Sequence, residues 1–193
     1  MTTPRAFFVI GPAGSGKTSV ARLLARESGA AYIDKDTTCN RFTEALLEAA
    51  GTDKNERDNN PYYQSVVMDL EYQTILDLAR DNLALGRSIV LDAPFGRYFP
   101  NPDFLDQVVE QHSWPSAVES VVVQVKVDGA TARERIRARG YARDASKLAD
   151  WDSFWEKAEA NECRWRCSHR VLLDNRADGL TAAAVARVLS DLR

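Results

Sequence analysis

Cysteine is scarce in this sequence of 193 residues, basic residues do not outnumber acidic ones, and long apolar runs are missing. Three cysteines, an odd number, favour a reducing cytoplasm over a disulfide framework. A net charge of −3 provides no electrostatic footprint for nucleic acid or for an anionic membrane. No apolar run is long enough for a transmembrane helix or a signal peptide. We therefore expect a cytoplasmic protein with no nucleic-acid or membrane partner.

Internal repeats, low-complexity segments and interdomain linkers are also missing. Cys163, Cys167 and His169 match no common zinc-binding spacing, and no fourth ligand is evident. The hydrophobic fraction of 45% and the charged fraction of 27% are those of an ordinary globular protein. The length suits one well-buried α/β domain and is short for two, so we predict a single domain over residues 1–193.

A glycine-rich segment, GPAGSGKT at positions 11–18, follows the apolar run Phe7–Ile10. Its spacing is that of a phosphate-binding P-loop, in which backbone N–H groups and a helix N-terminus surround an anion. In such a loop Lys17 reaches the β- and γ-phosphates, and the Thr18 hydroxyl binds Mg²⁺. The predicted nucleotide contacts are Gly11, Ala13, Gly14, Ser15, Gly16, Lys17, Thr18 and Ser19.

The alternative is an ordinary strand-to-helix turn. The complete Gly-Lys-Thr ending and the strand-like run before it argue against this alternative. So do Val20, Leu23 and Leu24, which follow at helical spacing. The segment therefore predicts a nucleoside triphosphate site.

The first half of the chain alternates between strand-like and helix-like patterns. A helix is predicted over Lys17–Ser28 and ends at Gly29, and a short strand over Ala30–Ile33 follows. Thr37 or Thr38 is expected to cap a second helix that runs through Ala50. Its predicted apolar side comprises Phe42, Leu46 and Leu47. A polar surface loop at 51–60 precedes a long helix from Pro61 to about Leu85, with Val66, Val67, Leu70, Leu76, Ala79 and Leu83 on its apolar positions.

The second half continues the alternation. A strand over Ser88–Leu91 leads to Asp92, and the proline-rich stretch 93–102 is a loop. Helices are predicted over 102–111 and 131–139, from Trp151, and at the end of the chain, with strands over 121–127 and 171–173. This order predicts a doubly wound parallel sheet with helices on both faces, and a ligand at the carboxyl ends of its strands.

Carboxylates stand where that ligand is expected. Asp34 and Asp36 follow the second strand, and Asp92 follows the third. At such positions a carboxylate can hold Mg²⁺ or accept a proton from an attacking hydroxyl. Asp36 could instead cap the next helix. The apolar strand before Asp92 resembles a Walker B arrangement.

Arginines are concentrated between positions 133 and 143 of an otherwise acidic chain. Arg133 and Arg137 share one helix face, and Arg135 and Arg139 share another. The arginines therefore cannot all point at the same ligand. A solvated helix face explains about half of it. Arg139 and Arg143 flank Gly140, where a mobile lid could close over a nucleotide.

Together these features resemble the P-loop small-molecule and nucleotide kinases, such as shikimate kinase, gluconate kinase, adenylate kinase, chloramphenicol phosphotransferase and the zeta-toxin type kinases. The resemblance rests on GPAGSGKT, on Asp34-Lys35-Asp36 and on Arg139-Gly-Tyr-Ala-Arg143-Asp144. It implies ATP and Mg²⁺ as cofactors, with Thr18, Asp34 and Asp92 at the metal and Asp36 at the acceptor. It further implies that Arg139 stacks on adenine and that Arg143 reaches the phosphates. Asn175 and Arg176 would then complete the adenine pocket.

The acceptor side departs from the resemblance. The glycine-rich acceptor loop of shikimate kinase is replaced by Ala93-Pro94-Phe95-Gly96-Arg97, so shikimate is not the expected acceptor. The sequence Asp92-Ala93-Pro94-Phe95 looks closer to ATP-binding kinases related to zeta toxins. Residues 37–72 are expected to bind the acceptor, and residues 139–150 to form the lid. Acceptor candidates by location alone are Arg41, Arg57, Tyr62, Tyr63, Arg97 and Tyr98.

The leading hypothesis is thus an ATP-dependent kinase acting on a hydroxyl of a small molecule, with Lys17, Asp36, Asp92 and Arg143 as catalytic residues. Either Asp36 or Asp92 could be the base. A nucleotide-hydrolysing switch acting on a protein partner is the second hypothesis. The sequence has no Asn-Lys-x-Asp guanine motif and is too short for the lid domain of a ring ATPase. Both observations count against this second hypothesis. A nucleoside, nucleotide or nucleotide-sugar kinase differs only in its acceptor and stays open.

Overall fold

The computed structural model describes residues 3–176 and 182–192, which include a five-stranded parallel sheet with the order β2-β3-β1-β4-β5. The strands are β1 (Arg5–Ile10), β2 (Ala31–Asp34), β3 (Ile89–Asp92), β4 (Glu119–Lys126) and β5 (His169–Asp174). The helices are α1 (Lys17–Ser28), α2 (Lys35–Ala49), α3 (Met68–Ala84), α4 (Phe104–Gln111), α5 (Gly129–Arg139), α6 (Ala145–Ala149), α7 (Trp151–Ala160) and α8 (Ala182–Asp191). The doubly wound α/β prediction is therefore confirmed.

Strand β1 lies in the centre of the sheet because its apolar side chains are buried on both faces. Phe8 and Ile10 belong to one core, which also contains residues of α3 and α4. Phe7 and Val9 belong to the other core, with residues of α1 and α8. This two-sided burial explains why β1 is a continuous apolar run rather than an alternating one. No helix in the described parts of the chain is long and apolar enough to span a bilayer.

The beginning of α2 differs from the prediction. Asp34, rather than Thr37 or Thr38, caps the helix: its carboxylate accepts hydrogen bonds from the backbone N–H groups of Asp36 (2.9 Å) and Thr37 (3.3 Å). An aspartate is an effective cap, and here it is the last residue of β2. The helix therefore starts directly at the edge of the sheet, and Asp36 lies in its first turn.

The inward face of α2 also differs from the prediction. Phe42 is 73% exposed, and the buried series is instead Lys35, Cys39, Thr43 and Leu47. These residues recur every fourth position and so form one helix face. Polar side chains occupy it because they bind a buried carboxylate on α3, described below. Of the three residues predicted on the apolar side, Leu47 is buried, whereas Phe42 and Leu46 are exposed.

The helix predicted from Pro61 is interrupted by a π-helical turn over Tyr63–Val67 that leads into α3. The wider turn directs Tyr63 and Val67 into a small core with Leu47. Val66 and Leu70, both predicted on the apolar side, are 40% and 48% exposed. The other elements lie within about two residues of their predicted positions.

Candidate active site

The P-loop connects β1 to α1, and residues far along the chain hold it from behind. Asn175, which is buried and follows β5, donates a hydrogen bond from Nδ2 to the Ser15 carbonyl (2.8 Å). Arg135 of α5 donates to the carbonyls of Gly14 and Ser15 (3.4 Å each). Gly11, Pro12 and Ala13 of the loop line the cavity, together with Lys17 and Thr18.

Arg135 and Asn175 differ from the interpretation of the sequence. Arg135 belongs to the cluster assigned in part to a solvated helix face, yet its guanidinium braces the loop. Asn175 was expected in an adenine pocket, and the structure places its amide on the P-loop backbone. Arg176 is exposed and pairs with Asp174 (2.5 Å). No local pattern in the sequence identifies the bracing role, because it depends on the packing of α5 and β5 around the loop.

Glycine at position 16 is required by both conformation and space. Its φ is +86°, and a Cβ there would lie 2.2 Å from Asn175 Nδ2. Gly16→Ala is therefore expected to lower the free energy of unfolding by about 3 kcal/mol and to weaken ATP binding severely. Urea unfolding with and without ATP measures both effects.

Gly29→Ala is the matched control for that substitution. Gly29 also has a positive φ, +71°, but nothing lies within 4 Å of the added Cβ. It should lose only about 1 kcal/mol and keep its ATP affinity. Equal ATP affinity in the two variants would show that the packing of Asn175 against the loop is unimportant for the nucleotide.

Lys17 crosses the loop from the first turn of α1. Its ammonium donates hydrogen bonds to the carbonyls of Gly11 and Pro12, each at 2.9 Å. Burial lowers the pKa of Lys17 to about 8, although the nearby Asp92 opposes the shift. The ammonium is thus held at the loop, on the wall of the cavity.

A tyrosine links the two carboxylates at the ends of β2 and β3. Asp34 and Asp92 are register partners in the sheet. The Tyr32 hydroxyl lies 2.9 Å from Asp92 Oδ2 and 3.2 Å from Asp34 Oδ2. Burial raises the pKa of Asp92 above its usual value. The neighbouring Thr18, Tyr32 and Lys17 oppose this shift but do not outweigh it. Tyr32 was missed, although its position two residues before Asp34 places both on one strand face.

The donor set at this position fits Mg²⁺ but not a metal held by protein ligands alone. Thr18 and Asp92 both lie on the cavity wall beside the P-loop. Among residues 3–176 and 182–192, no three His, Cys, Asp or Glu side chains cluster as a metal site. Mg²⁺ commonly uses one or two protein oxygens together with phosphates and water. Because the Asp34 oxygens already cap α2, Asp34 suits contact through water better than direct ligation.

Asp36 lies between two cations at the start of α2. Arg143 Nη2 is 2.5 Å from Asp36 Oδ2, and Lys35 Nζ is 3.6 Å from Asp36 Oδ1. Burial opposes ionisation of Asp36, but Lys35, Arg143 and Arg57 together outweigh it and keep the pKa of this carboxyl below its usual value. Asp36 is therefore ionised at neutral pH.

The predicted lid is docked against the α2 side of the cavity. Arg139 pairs with the buried Asp144 (2.7 Å), and Arg143 pairs with Asp36. Lys147 reaches Asp58 in the 51–60 loop (2.7 Å). The guanidinium groups of Arg139 and Arg143 lie 5.3 and 5.2 Å from the centre of the Tyr141 ring. In this conformation the partner of Arg143 is the carboxylate of Asp36.

One cavity of about 580 Å³ lies between the P-loop, the start of α2 and the lid. Its volume lies in the usual range for small-molecule sites. The P-loop, Lys17, Thr18 and Asp92 line one part, and Lys35, Asp36, Arg57, Tyr63, Arg97 and Arg143 line the other. Arg139 also lines the cavity, whereas Arg41, Tyr62 and Tyr98 are not among its lining residues.

Comparison with known proteins identifies a family and several similar solved structures. A family model described as an AAA domain matches residues 7–187. Similar solved structures include a candidate kinase from Chloroflexus aurantiacus J-10-fl, with 15% identity, 98% of each chain covered and a TM-score of 0.70. A sugar kinase from Janibacter sp. HTCC2649 has 17% identity over 99% of this chain and 95% of its own, with a TM-score of 0.61. For a gluconokinase from Sinorhizobium meliloti 1021 the identity is 19%, the coverage 100% and 97%, and the TM-score 0.52.

At these identities the likeness shows the fold alone, and it confirms the predicted fold of the P-loop small-molecule kinases. No curated protein matches the chain.

Proposed function

The chain belongs to the AAA domain family, and from that premise we propose that it is an ATP-dependent kinase acting on a hydroxyl of a small molecule. The observation that carries the proposal is the shared cavity. Its P-loop part and its α2 part are continuous, and Asp36 lines the same space as Lys17 and Thr18. A site for phosphoryl transfer needs donor and acceptor in one enclosed space, so that the attacking oxygen can approach the γ-phosphorus in line.

The P-loop part binds the donor. Backbone N–H groups of the loop and the N-terminus of α1 surround the phosphates, and Lys17 places its charge at the β- and γ-phosphates. Thr18 and Asp92 would hold Mg²⁺, with Asp34 acting through water. When bound, the ion neutralises charge on the phosphate oxygens. Arg139 lies on the cavity wall near the nucleotide, and Asn175 acts by holding the loop rather than by touching the base.

The α2 part binds the acceptor. Asp36 accepts a hydrogen bond from the acceptor hydroxyl and orients its oxygen toward the γ-phosphorus. As the new O–P bond forms and the bond to the β-phosphate oxygen breaks, the hydroxyl proton passes to Asp36 and ADP leaves. Asp36 is assigned as the base by its place in the α2 part of the cavity, whereas Asp92 lies at the P-loop and is hydrogen-bonded to Tyr32.

Arg143 links the two parts. It is bound to Asp36 in the present conformation and lies on the lid, so a bound γ-phosphate offers it a second anionic partner. Its transfer to the phosphate would free Asp36 for the hydroxyl. Arg143 would then stabilise the charge on the transferring group, as lid arginines do in phosphoryl transfer.

The test is ATP consumption against a panel of sugars, sugar acids, nucleosides and antibiotics, with product mass measured for each compound. A gain of one phosphoryl group that depends on a single class of compound supports the kinase. If no small molecule raises turnover above slow hydrolysis while a protein does, the chain is a nucleotide-hydrolysing module instead. Wild-type activity in Lys17→Met would show that any turnover came from a contaminant.

A further inference from the structure

Lys35 is a buried lysine on the wall of the cavity, next to the proposed base. Its side chain is 5% exposed, and its ammonium lies 2.5 Å from Glu71 Oε2. The neighbouring Asp36 Oδ1 is 3.6 Å away, which is too long for a good hydrogen bond. Glu71 is thus the one side chain in the described residues that accepts a hydrogen bond from this ammonium.

Glu71 holds several elements together from the middle of α3. Its side chain is 2% exposed. Besides Lys35, its carboxylate accepts hydrogen bonds from the hydroxyls of Thr43 (2.6 Å) and Tyr63 (2.9 Å). Tyr63 reaches it because of the π-helical turn. A further cation, Arg57, lies 3.9 Å from it. The carboxylate is fully engaged, so its position, and that of Lys35, is closely defined.

A buried lysine–glutamate pair is a poor way to gain stability. Desolvation of the two charges offsets most of their attraction, and an apolar pair of similar size often serves as well. An ammonium also has three N–H donors, and Glu71 uses one of them. A buried cation on the wall of a cavity, with N–H donors that are not hydrogen-bonded, is a candidate for binding a ligand.

We propose that Lys35 contacts the acceptor and that Glu71 is the residue that positions it. Lys35 Nζ and Asp36 Oδ1 are 3.6 Å apart, so a single hydroxyl oxygen lying beside the pair can hydrogen-bond to both. That oxygen accepts a hydrogen bond from the ammonium and donates its own proton to the carboxylate. The inference rests on the kinase function proposed above and adds a second residue at the reacting oxygen.

The arrangement also restricts the acceptor. As the proton moves to Asp36 and the O–P bond forms, the ammonium stabilises negative charge on the attacking oxygen. A primary amine is protonated at neutral pH, and it would meet the Lys35 ammonium as a like charge in a water-poor site. The site therefore favours alcohols and rejects amines of the same shape.

The experiment compares Lys35→Met, Glu71→Gln and the double variant on the acceptor identified by the panel. Lys35→Met should lower kcat by about 10²-fold, as expected for loss of one charge-stabilising donor, with an unchanged Kd for ATP. Glu71→Gln should have a smaller effect of the same kind. Lys35→Met should also narrow the preference for the alcohol over its amine analogue, which a role in folding alone would not do.

The double variant separates chemistry from folding. It removes both charges of the Lys35–Glu71 pair together, so its melting temperature should lie closer to that of the wild type than the melting temperature of either single variant. Its kcat should stay as low as that of Lys35→Met. The control is Arg26→Met with Glu27→Gln, an exposed ion pair on α1, which should change neither quantity.

The outcomes distinguish this inference from the kinase proposal. If the wild type phosphorylates an acceptor and the double variant does so equally fast, Lys35 and Glu71 are structural and the inference is wrong, while the kinase stands. If the wild type phosphorylates no small molecule, the kinase proposal is wrong and the inference is wrong with it.

Discussion

Lys17→Met is expected to reduce kcat/KM for phosphoryl transfer by about 10³-fold, equivalent to about 4 kcal/mol of transition-state stabilisation. The ammonium is held at the P-loop by two backbone carbonyls, where it is poised for the phosphates. Methionine keeps the length and apolar stem of the side chain but removes the charge. Steady-state kinetics with the panel acceptor measure the loss, and fluorescent-nucleotide titration separates binding from chemistry.

The same side chain predicts a pH dependence. With a pKa of about 8 in the nucleotide-free protein, Lys17 loses its charge as the pH rises through that value. The neutral amine attracts phosphate less, so wild-type affinity for ATP should fall above about pH 8. The affinity of Lys17→Met should lack this decline. A decline of equal size in the variant would assign the titration to another group.

Asp36→Asn is expected to lower kcat by about 10³-fold without weakening ATP binding. The amide is close to the carboxylate in shape, but it cannot take the proton. It also gives Arg143 and Lys35 no negative charge, although both face Asp36 in the structure. Rapid-quench measurement of the first turnover would show whether the loss lies in the chemical step.

Asp92→Asn is the matched comparison. Asp92 lies on the cavity wall with Thr18 beside the P-loop, so its replacement should raise the Mg²⁺ concentration needed for half-maximal rate. Asp36→Asn should leave that concentration unchanged. If Asp36→Asn retains full turnover and Asp92→Asn abolishes it, the base has been assigned to the wrong carboxylate.

The sheet and the P-loop could be predicted because short-range rules determine them. Apolar β-branched runs such as 121–127 become buried parallel strands, and Gly29 ends α1 with a positive φ. Asp34, Asp36 and Asp92 lie at the strand ends that topology requires. These features depend on residue type and order, and both are visible without a structure.

The acceptor side could not be predicted because its key contacts are buried and polar. Apolar periodicity assigned Phe42 to the inner face of α2, but Lys35 and Thr43 occupy that face because Glu71 lies opposite them. The π-helical turn adds residues to a helix without any sequence punctuation. One signal was available: Glu71 is a charged residue between Leu70 and Tyr72, in a helix with apolar residues at helical spacing.

The bracing of the P-loop has a consequence for how the protein acquires its activity. Ser15 and Asn175 are separated by 160 positions in the chain, so the loop gains this support only when distant parts of the chain have come together. Strand β5 must pair with β4 before Asn175 can reach the loop. We expect partly folded molecules that lack this pairing to bind ATP weakly. Nucleotide binding would then report completion of the whole sheet. Because ATP would bind the completed loop, it would stabilise the folded protein by mass action.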